Sequence, residues 1–231
     1  MVAKVESVAN HPSVLIPFTG RRLLALRIKR AFDFLVALTL LLLLSPLLIV
    51  IAVLIRLDSP GGALFRQVRI GQGGAAFEML KFRSMSRDTD AAAHREAVAR
   101  LARGEPSAIV DGKPVFKATA DERVTRVGRF IRATNLDEMP QLWNVLRGEM
   151  SLVGPRPAIP YELSVYKEHH YRRFAAPQGI TGLWQVNRER TRTFADVLDL
   201  DLEYIDRFSL LLDLKILVLT IPRLIPRQWS F

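Results

Sequence analysis

The 231-residue chain has no cysteine, which excludes disulfides and thiolate metal sites and suits a cytosol-facing protein. Acidic residues are comparatively scarce: 23 Asp+Glu stand against 33 Lys+Arg, for a formal net charge of +10. Such an excess favours a polyanionic partner, whether nucleic acid, anionic lipid or a phosphorylated substrate. No nucleic-acid recognition motif is present, so a basic nucleic-acid binder would leave the long apolar run described below unexplained. The glycine cluster Gly71-Gln72-Gly73-Gly74 is followed by no Walker-type lysine and launches no helix, which argues against a P-loop. Histidine is also rare. His169-His170 is the one adjacent pair, but neighbouring helical side chains diverge and no third ligand lies at a helpful spacing.

What is abundant is apolar residue, 49% of the chain. Residues 1–20 read as a flexible lead without the pattern of a cleaved signal peptide. A basic flank follows, Arg21, Arg22, Arg27, Lys29 and Arg30, and then Ala31 to Ile55 is apolar apart from Asp33, Thr39 and Ser45. As a helix that run reaches roughly 37 Å, enough for the ~30 Å hydrocarbon core. Ser45-Pro46 interrupts it midway, where proline removes a backbone hydrogen bond. Positive charge lies on both sides, with Arg56, Arg66 and Arg69 after the run, which suits both ends facing the cytoplasm. The residues leave open a kinked span and a helix that dips in and returns. The organisation expected is thus a lead over 1–20, a basic flank and membrane helix over 21–56, and a cytoplasmic domain over 57–231.

After the turn Asp58-Ser59-Pro60-Gly61-Gly62, the segments Ala63–Ile70 and Ala75–Ser84 read as two strands of a hairpin. Lys81 and Arg83 alternate onto one strand face with Phe82 opposite. An insert near 86–114 includes a predicted surface helix, Thr89–Arg103, carrying His94, and a short strand is predicted at Val115–Ala118. Asp121–Arg132 places Arg123, Arg126, Arg129 and Arg132 mostly three apart, so they can share a helix face. Thr134 and Asn135 then read as helix N-caps ahead of the carboxylate pair Asp137-Glu138. On the residues alone that pair either caps a helix or carries chemistry. Adjacent helical carboxylates point ~100° apart and can hold different roles. Met139, Leu142, Trp143, Val145 and Leu146 read as core.

The string LDEMPQLWNVLRGEMSLVGPRP, from Leu136 to Pro157, decides between them. It resembles the L-D-E-x-P-Q-L-x-N-V-L-x-G-[DE]-M-S-L-[VI]-G-P-R-P signature of the bacterial sugar transferases, the monotopic polyprenyl-phosphate phosphoglycosyl transferases. Lys81-Phe82-Arg83-Ser84-Met85 matches that family's K-F-R-[ST]-M, and the resemblance runs from about Lys29 to the end. It implies an α+β, mostly helical membrane-associated fold with an N-terminal re-entrant helix broken at Ser45 and Pro46. It implies Asp137 as nucleophile toward a nucleoside diphosphate sugar, normally a UDP-sugar, releasing UMP, and Glu138 as its acidic partner. Mg2+ would be held by Asp137 and Glu138, with Lys81, Arg83, Arg132 and Arg156 near the substrate phosphates. The phosphosugar would pass to a polyprenyl phosphate such as undecaprenyl phosphate, at the cytoplasmic face of a bacterial inner membrane. The sugar, the pathway and the oligomeric state, a homo-oligomer included, stay open.

Further on, Ile159–Phe174 is a predicted helix. Pro177-Gln178-Gly179-Ile180-Thr181-Gly182 resembles the family's P-G-I-T-G loop, with Gln178 inserted where proline usually stands. That departure bears on substrate identity and not on the chemistry. Asp196–Asp206 is a predicted acidic helix. In Phe208–Ile225, apolar residues at helical spacing are broken by Asp213, Lys215, Pro222 and Arg223, which predicts a helix in the membrane interface, not across it. The rival from another class is a non-catalytic membrane-anchored partner whose Asp-Glu only caps a helix.

Overall fold

The computed structural model describes residue 8 and residues 20–86, 108–110, 113–115, 124–191 and 193–224. The predicted helix Thr89–Arg103, His94, Arg123 and most of the predicted strand Val115–Ala118 lie outside them. Helix α1 spans Arg21–Asp58 without interruption, Pro46 included. Apolar side chains surround it on every side, as in a helix that meets lipid. Among the described residues it is the one helix long and apolar enough to cross a membrane, and few of its side chains are buried. Ser45 Oγ donates to the Leu42 carbonyl at 2.8 Å, one turn before the proline.

Strands β1 (Leu64–Ile70) and β2 (Ala76–Phe82) pair antiparallel, joined by a short 3-10 turn over Gln72–Gly74. A second antiparallel pair joins β3 (Ala108–Val110) to β4 (Lys113–Val115). Helix α2 (Arg126–Ala133) follows, capped by Thr125 Oγ1, which accepts from the Gly128 N–H at 3.0 Å. Then come a 3-10 turn over Leu136–Glu138, helix α3 (Gln141–Arg147) and β5 (Ser151–Val153). β5 pairs in parallel with β6 (Gly179–Thr181), after which α4 (Leu183–Val186), α5 (Phe194–Arg207) and α6 (Leu210–Leu224) complete the described chain. The fold is mostly helical, with three small two-stranded sheets.

Two predicted elements differ. Ile159–Phe174 is not one helix but two 3-10 segments, Pro160–Val165 and Glu168–Ala175, with Tyr166 extended between them. The break follows from buried charge: Glu162 turns to Arg156, and Tyr166 and Arg173 turn to each other. The N-cap assigned to Thr134 or Asn135 is also absent. Thr134 closes α2 by donating to the Phe130 carbonyl, and Asn135 sits at φ 56°, ψ 16° with no side-chain cap.

The main core gathers α3, β5, α4, α5 and α6 around Leu142, Val145, Met150, Tyr204 and Ile216 and takes in Ala37 of α1. A second cluster sets Ile51 and Ile55 of α1 against Phe82 of β2 and Ile131 of α2. Trp143, expected in the core, is 51% exposed; on α3 it points away from the face that buries Leu142 and Val145. The domain therefore grips α1 at both ends. Near its start, Lys29 donates to Asp213 at 2.7 Å, Ser151 donates to Asp33 at 2.6 Å, and Arg30 donates to the Leu146 carbonyl at 2.8 Å. Near its end, the Asp58 carboxylate accepts the Val127 N–H of α2 at 2.9 Å. The α6 helix turns Asp213 and Ile216 inward and leaves Leu211, Leu214, Val218 and Ile221 exposed.

Close backbone approach fixes the seat of α2. A Cβ at Gly128 would fall 2.1 Å from the Ser84 carbonyl oxygen. Gly128→Ala is expected to destabilise the protein by about 1–3 kcal/mol, read as a lowered thermal midpoint in lipid nanodiscs; an unchanged midpoint would show that α2 moves freely off Ser84.

Candidate active site

The carboxylate pair is presented by a turn between two helices. Asn135 in the left-handed region ends α2 and starts the Leu136–Glu138 turn, and Pro140 leads into α3. The strand that faces this turn is held by an amide. Asn144, 1% exposed, donates to the Glu78 carbonyl at 2.7 Å and accepts from the Leu80 N–H at 3.0 Å. That clamp sets β2 beside α3 and brings Lys81 to Glu138, Nζ to Oε1, at 2.8 Å. The sequence reading did not single out Asn144; its place between two hydrophobic runs of the motif was the available signal.

Glu138 and Lys81 line a pocket together with Arg69, Gln141, Arg156 and Trp184. Asp137 is not part of that wall, but it shares the electrostatic field of Glu138, Lys81 and Arg132. Burial pushes Asp137 up to about 6, Glu138 adds to the rise, and Lys81 and Arg132 oppose it. A carboxylate crowded by its neighbour is what a hard divalent cation relieves. Adjacent carboxylates are hard oxygen donors, the kind that suits Mg2+ in preference to softer metals.

The expected phosphate cations divide. Lys81 and Arg156 line the pocket. Arg156 is oriented by Glu162, which accepts from its Nη1 at 2.9 and 3.2 Å and also takes the Ile159 N–H. Burial works against the Arg156 charge and Glu162 outweighs it, so the guanidinium is held above its ordinary value. Arg132 lies near Asp137 and donates from Nε to Ser84 Oγ at 2.8 Å. Arg83, expected near the phosphates, is 8% exposed and donates to the Ser59 and Pro60 carbonyls at 2.7 Å. There it satisfies carbonyls at the C-terminal end of α1, where a cation also suits the helix dipole. Arg69 entered the sequence analysis only as a flanking positive charge, yet it belongs to the pocket wall.

The histidine pair gains from the fold a third group that its spacing lacked. One ligand atom each from His169, His170 and Asp199 of α5 lies within 4.8 Å of the others. His170 Nδ1, however, accepts the Lys167 N–H at 3.1 Å, which puts the ring proton on Nε2. Metal-bound histidine has the opposite arrangement, donating from its far nitrogen.

The family model described as bacterial sugar transferase matches residues 24–227. The chain is 37% identical over 203 residues to the exopolysaccharide production protein ExoY of Rhizobium meliloti, covering 88% of each chain. It is 42% identical over 205 residues to the UDP-glucose:undecaprenyl-phosphate glucose-1-phosphate transferase of Caulobacter vibrioides, covering 85% of this chain and 69% of that one. Against the UDP-galactose-lipid carrier transferase of Erwinia amylovora identity is 39% over 204 residues, 88% of this chain but 42% of that protein.

The cause assigned to the Asp137 shift is testable by side-chain carboxyl NMR. Asp137 should titrate with a midpoint near 6, and Glu138→Gln should move that midpoint down while Lys81→Met moves it up. A midpoint indifferent to both neighbours would leave burial as the sole cause.

Proposed function

Because the chain belongs to the bacterial sugar transferase family, we propose that it transfers a phosphosugar from a UDP-sugar to undecaprenyl phosphate, the first membrane step of a polysaccharide or glycoconjugate. The observation that carries this is the Asp137–Glu138 pair with Lys81 and Arg132 about it, next to a pocket walled by Arg69 and Arg156. An acid pair facing cations is the arrangement that phosphoryl transfer uses, where positioning and charge neutralisation supply most of the catalysis.

In the first half-reaction the Asp137 carboxylate attacks the sugar-bearing phosphorus. The bond from that phosphorus to the bridging oxygen breaks, UMP leaves with that oxygen, and an aspartyl-phosphosugar forms. In the second, an oxygen of the polyprenyl phosphate attacks the same phosphorus and the aspartate leaves, giving a polyprenyl diphosphate sugar. Lys81 and Arg156 neutralise phosphate oxygens, and Arg132 holds charge beside Asp137. Asp137 and Glu138 would hold Mg2+, which would supply Lewis-acid stabilisation of the phosphate charge when bound. Asp137 must be ionised to attack; without the cation it titrates at about 6, and a bound divalent cation would lower that value, so the rate should fall with decreasing pH at or below about 6.

The acceptor's lipid tail requires the site at a membrane surface. We propose that α1, continuous through Pro46 in the structure, turns back at Ser45 and Pro46 in the membrane, with both ends and the catalytic domain on the cytoplasmic face. This is supported by the domain's contacts at both ends of α1, Lys29 and Asp33 at one and Ile55 and Asp58 at the other. The outward apolar side of α6 suits a helix lying in the interface.

UMP release from a panel of UDP-sugars, with undecaprenyl phosphate and Mg2+, tests the reaction. One sugar should support release, and Asp137→Asn should lower it by roughly three orders of magnitude or more; equal activity in that variant rules out the nucleophile. Topology is tested with single cysteines at Arg21 and Gly62, both exposed, in a chain with no native thiol. An impermeant maleimide should reach both only from the cytoplasmic side, and labelling from opposite sides would make α1 a span.

A further inference from the structure

Three cations line the pocket, and two of them have carboxylate partners: Lys81 has Glu138 and Arg156 has Glu162. Arg69 has none among the described residues. It stands on β1 opposite Phe77, 7% exposed, and both of its hydrogen bonds go to neutral acceptors. Nη1 donates to the Pro157 carbonyl at 2.9 Å and Nη2 donates to Gln67 Oε1 at 2.7 Å. Nε is buried without a partner, and a guanidinium offers five N–H donors in all. Burial and the nearby Arg156 charge push the group down to about 10, against the opposing pull of Glu162, Tyr161 and Glu138. A buried cation that no carboxylate contacts is an arrangement that folding alone does not favour.

A second observation points the same way. Trp184 belongs to the same wall, and its indole Nε1 is buried without a hydrogen-bond partner among the described residues, so the wall presents an unused neutral donor as well as a cation with no carboxylate in contact.

We infer that Arg69 is the resident counter-charge for the pocket's anionic ligand, taking a phosphate oxygen of the donor's diphosphate; this deepens, and rests on, the phosphosugar-transfer function above. Lys81 and Arg156 share their charge between a carboxylate and the ligand, so Arg69 adds to them the one pocket cation that no carboxylate contacts among the described residues. The hydrogen bonds to Pro157 and Gln67 hold its planar fork in place before the ligand arrives, which suits bidentate contact with phosphate oxygens. Because the Pro157 carbonyl belongs to the Gly-Pro-Arg-Pro turn, one side chain links β1, that turn and the ligand.

The test uses the full chain in nanodiscs with two probes, UDP and inorganic diphosphate, read by thermal unfolding, together with UMP-release kinetics. Both probes should raise the midpoint of the wild type and of Asp137→Asn. Arg69→Met should lose both shifts, with the KM for the UDP-sugar raised about tenfold or more and kcat changed less. Arg69→Gln keeps a donor for the Pro157 carbonyl and removes the charge, so it separates scaffold from ligand contact if the Met variant does not fold. A folded Arg69→Gln protein with wild-type shifts and a KM within about twofold of wild type overturns the assignment. A wild type that releases no UMP from any sugar, yet shows a diphosphate shift that depends on Arg69, overturns the transfer function and leaves the anion site standing.

Discussion

Arg173 is 1% exposed and charged, and the active-site half of the fold is built around keeping it so. Burial works against that charge, and Tyr166, Asp201 and Glu162 together outweigh it, holding the guanidinium above its ordinary value. It donates to Asp201 of α5, to the Tyr166 hydroxyl and, at 2.7 Å, to the Arg156 carbonyl. Removing one partner from a buried pair of this kind typically costs about 3–5 kcal/mol, because the other charge is left stranded. The consequence reaches the pocket. Arg156 has its backbone held by Arg173 and its side chain held by Glu162, so a pocket-lining cation is set by groups outside the pocket wall.

The same requirement, that buried charge be matched, docks the membrane helix. Lys29 and Asp33 are each 3% exposed, within a helix whose other side chains mostly face outward. Lys29 pairs with Asp213 of α6, which also accepts from Tyr204 at 2.7 Å, and Asp33 accepts from Ser151 of β5. Apolar contacts cannot orient a helix against lipid, since lipid tails are as apolar as leucine. Polar contacts can, because breaking them leaves an unpaired charge. At the other end Arg83 closes the carbonyls after α1, and Asp58 holds the first turn of α2. The path from α1 through α2 to the Asp137 turn is thus continuous: the long apolar helix also positions the carboxylate pair.

The basic flank shows how a correct sequence observation can carry a second meaning. Arg21, Arg22, Arg27, Lys29 and Arg30 count as positive charge beside an apolar run, which is a topological signal. Two of them are also docking residues: Lys29 is buried against Asp213, and Arg30 caps the carbonyl end of α3. Similarly, Lys81 and Arg83 share a strand face by alternation, but β2 ends between them. Lys81 stays in the strand and reaches Glu138, while Arg83 is past it and turns back to α1.

By itself the sequence determined the long apolar helix, the antiparallel strand pair, the carboxylate pair and the family, because these rest on local periodicity, turn composition and one contiguous motif. The split of Ile159–Phe174 into two 3-10 segments was not legible, because buried side-chain contacts six and seven residues apart, Arg156 with Glu162 and Tyr166 with Arg173, overrode a helical pattern. Nor was the division of cations into Lys81 and Arg156 at the pocket, Arg83 at a helix end and Arg69 as an unpaired pocket charge. A guanidinium's role depends on which carboxylates and carbonyls the fold brings within reach, and Arg69 and Arg83 each donate to a backbone carbonyl, 88 and 24 residues away. Residue types and spacing specified which groups were available for chemistry; only tertiary burial, by pairing Lys81 and Arg156 with carboxylates and Arg83 with carbonyls, decided which of them line the pocket.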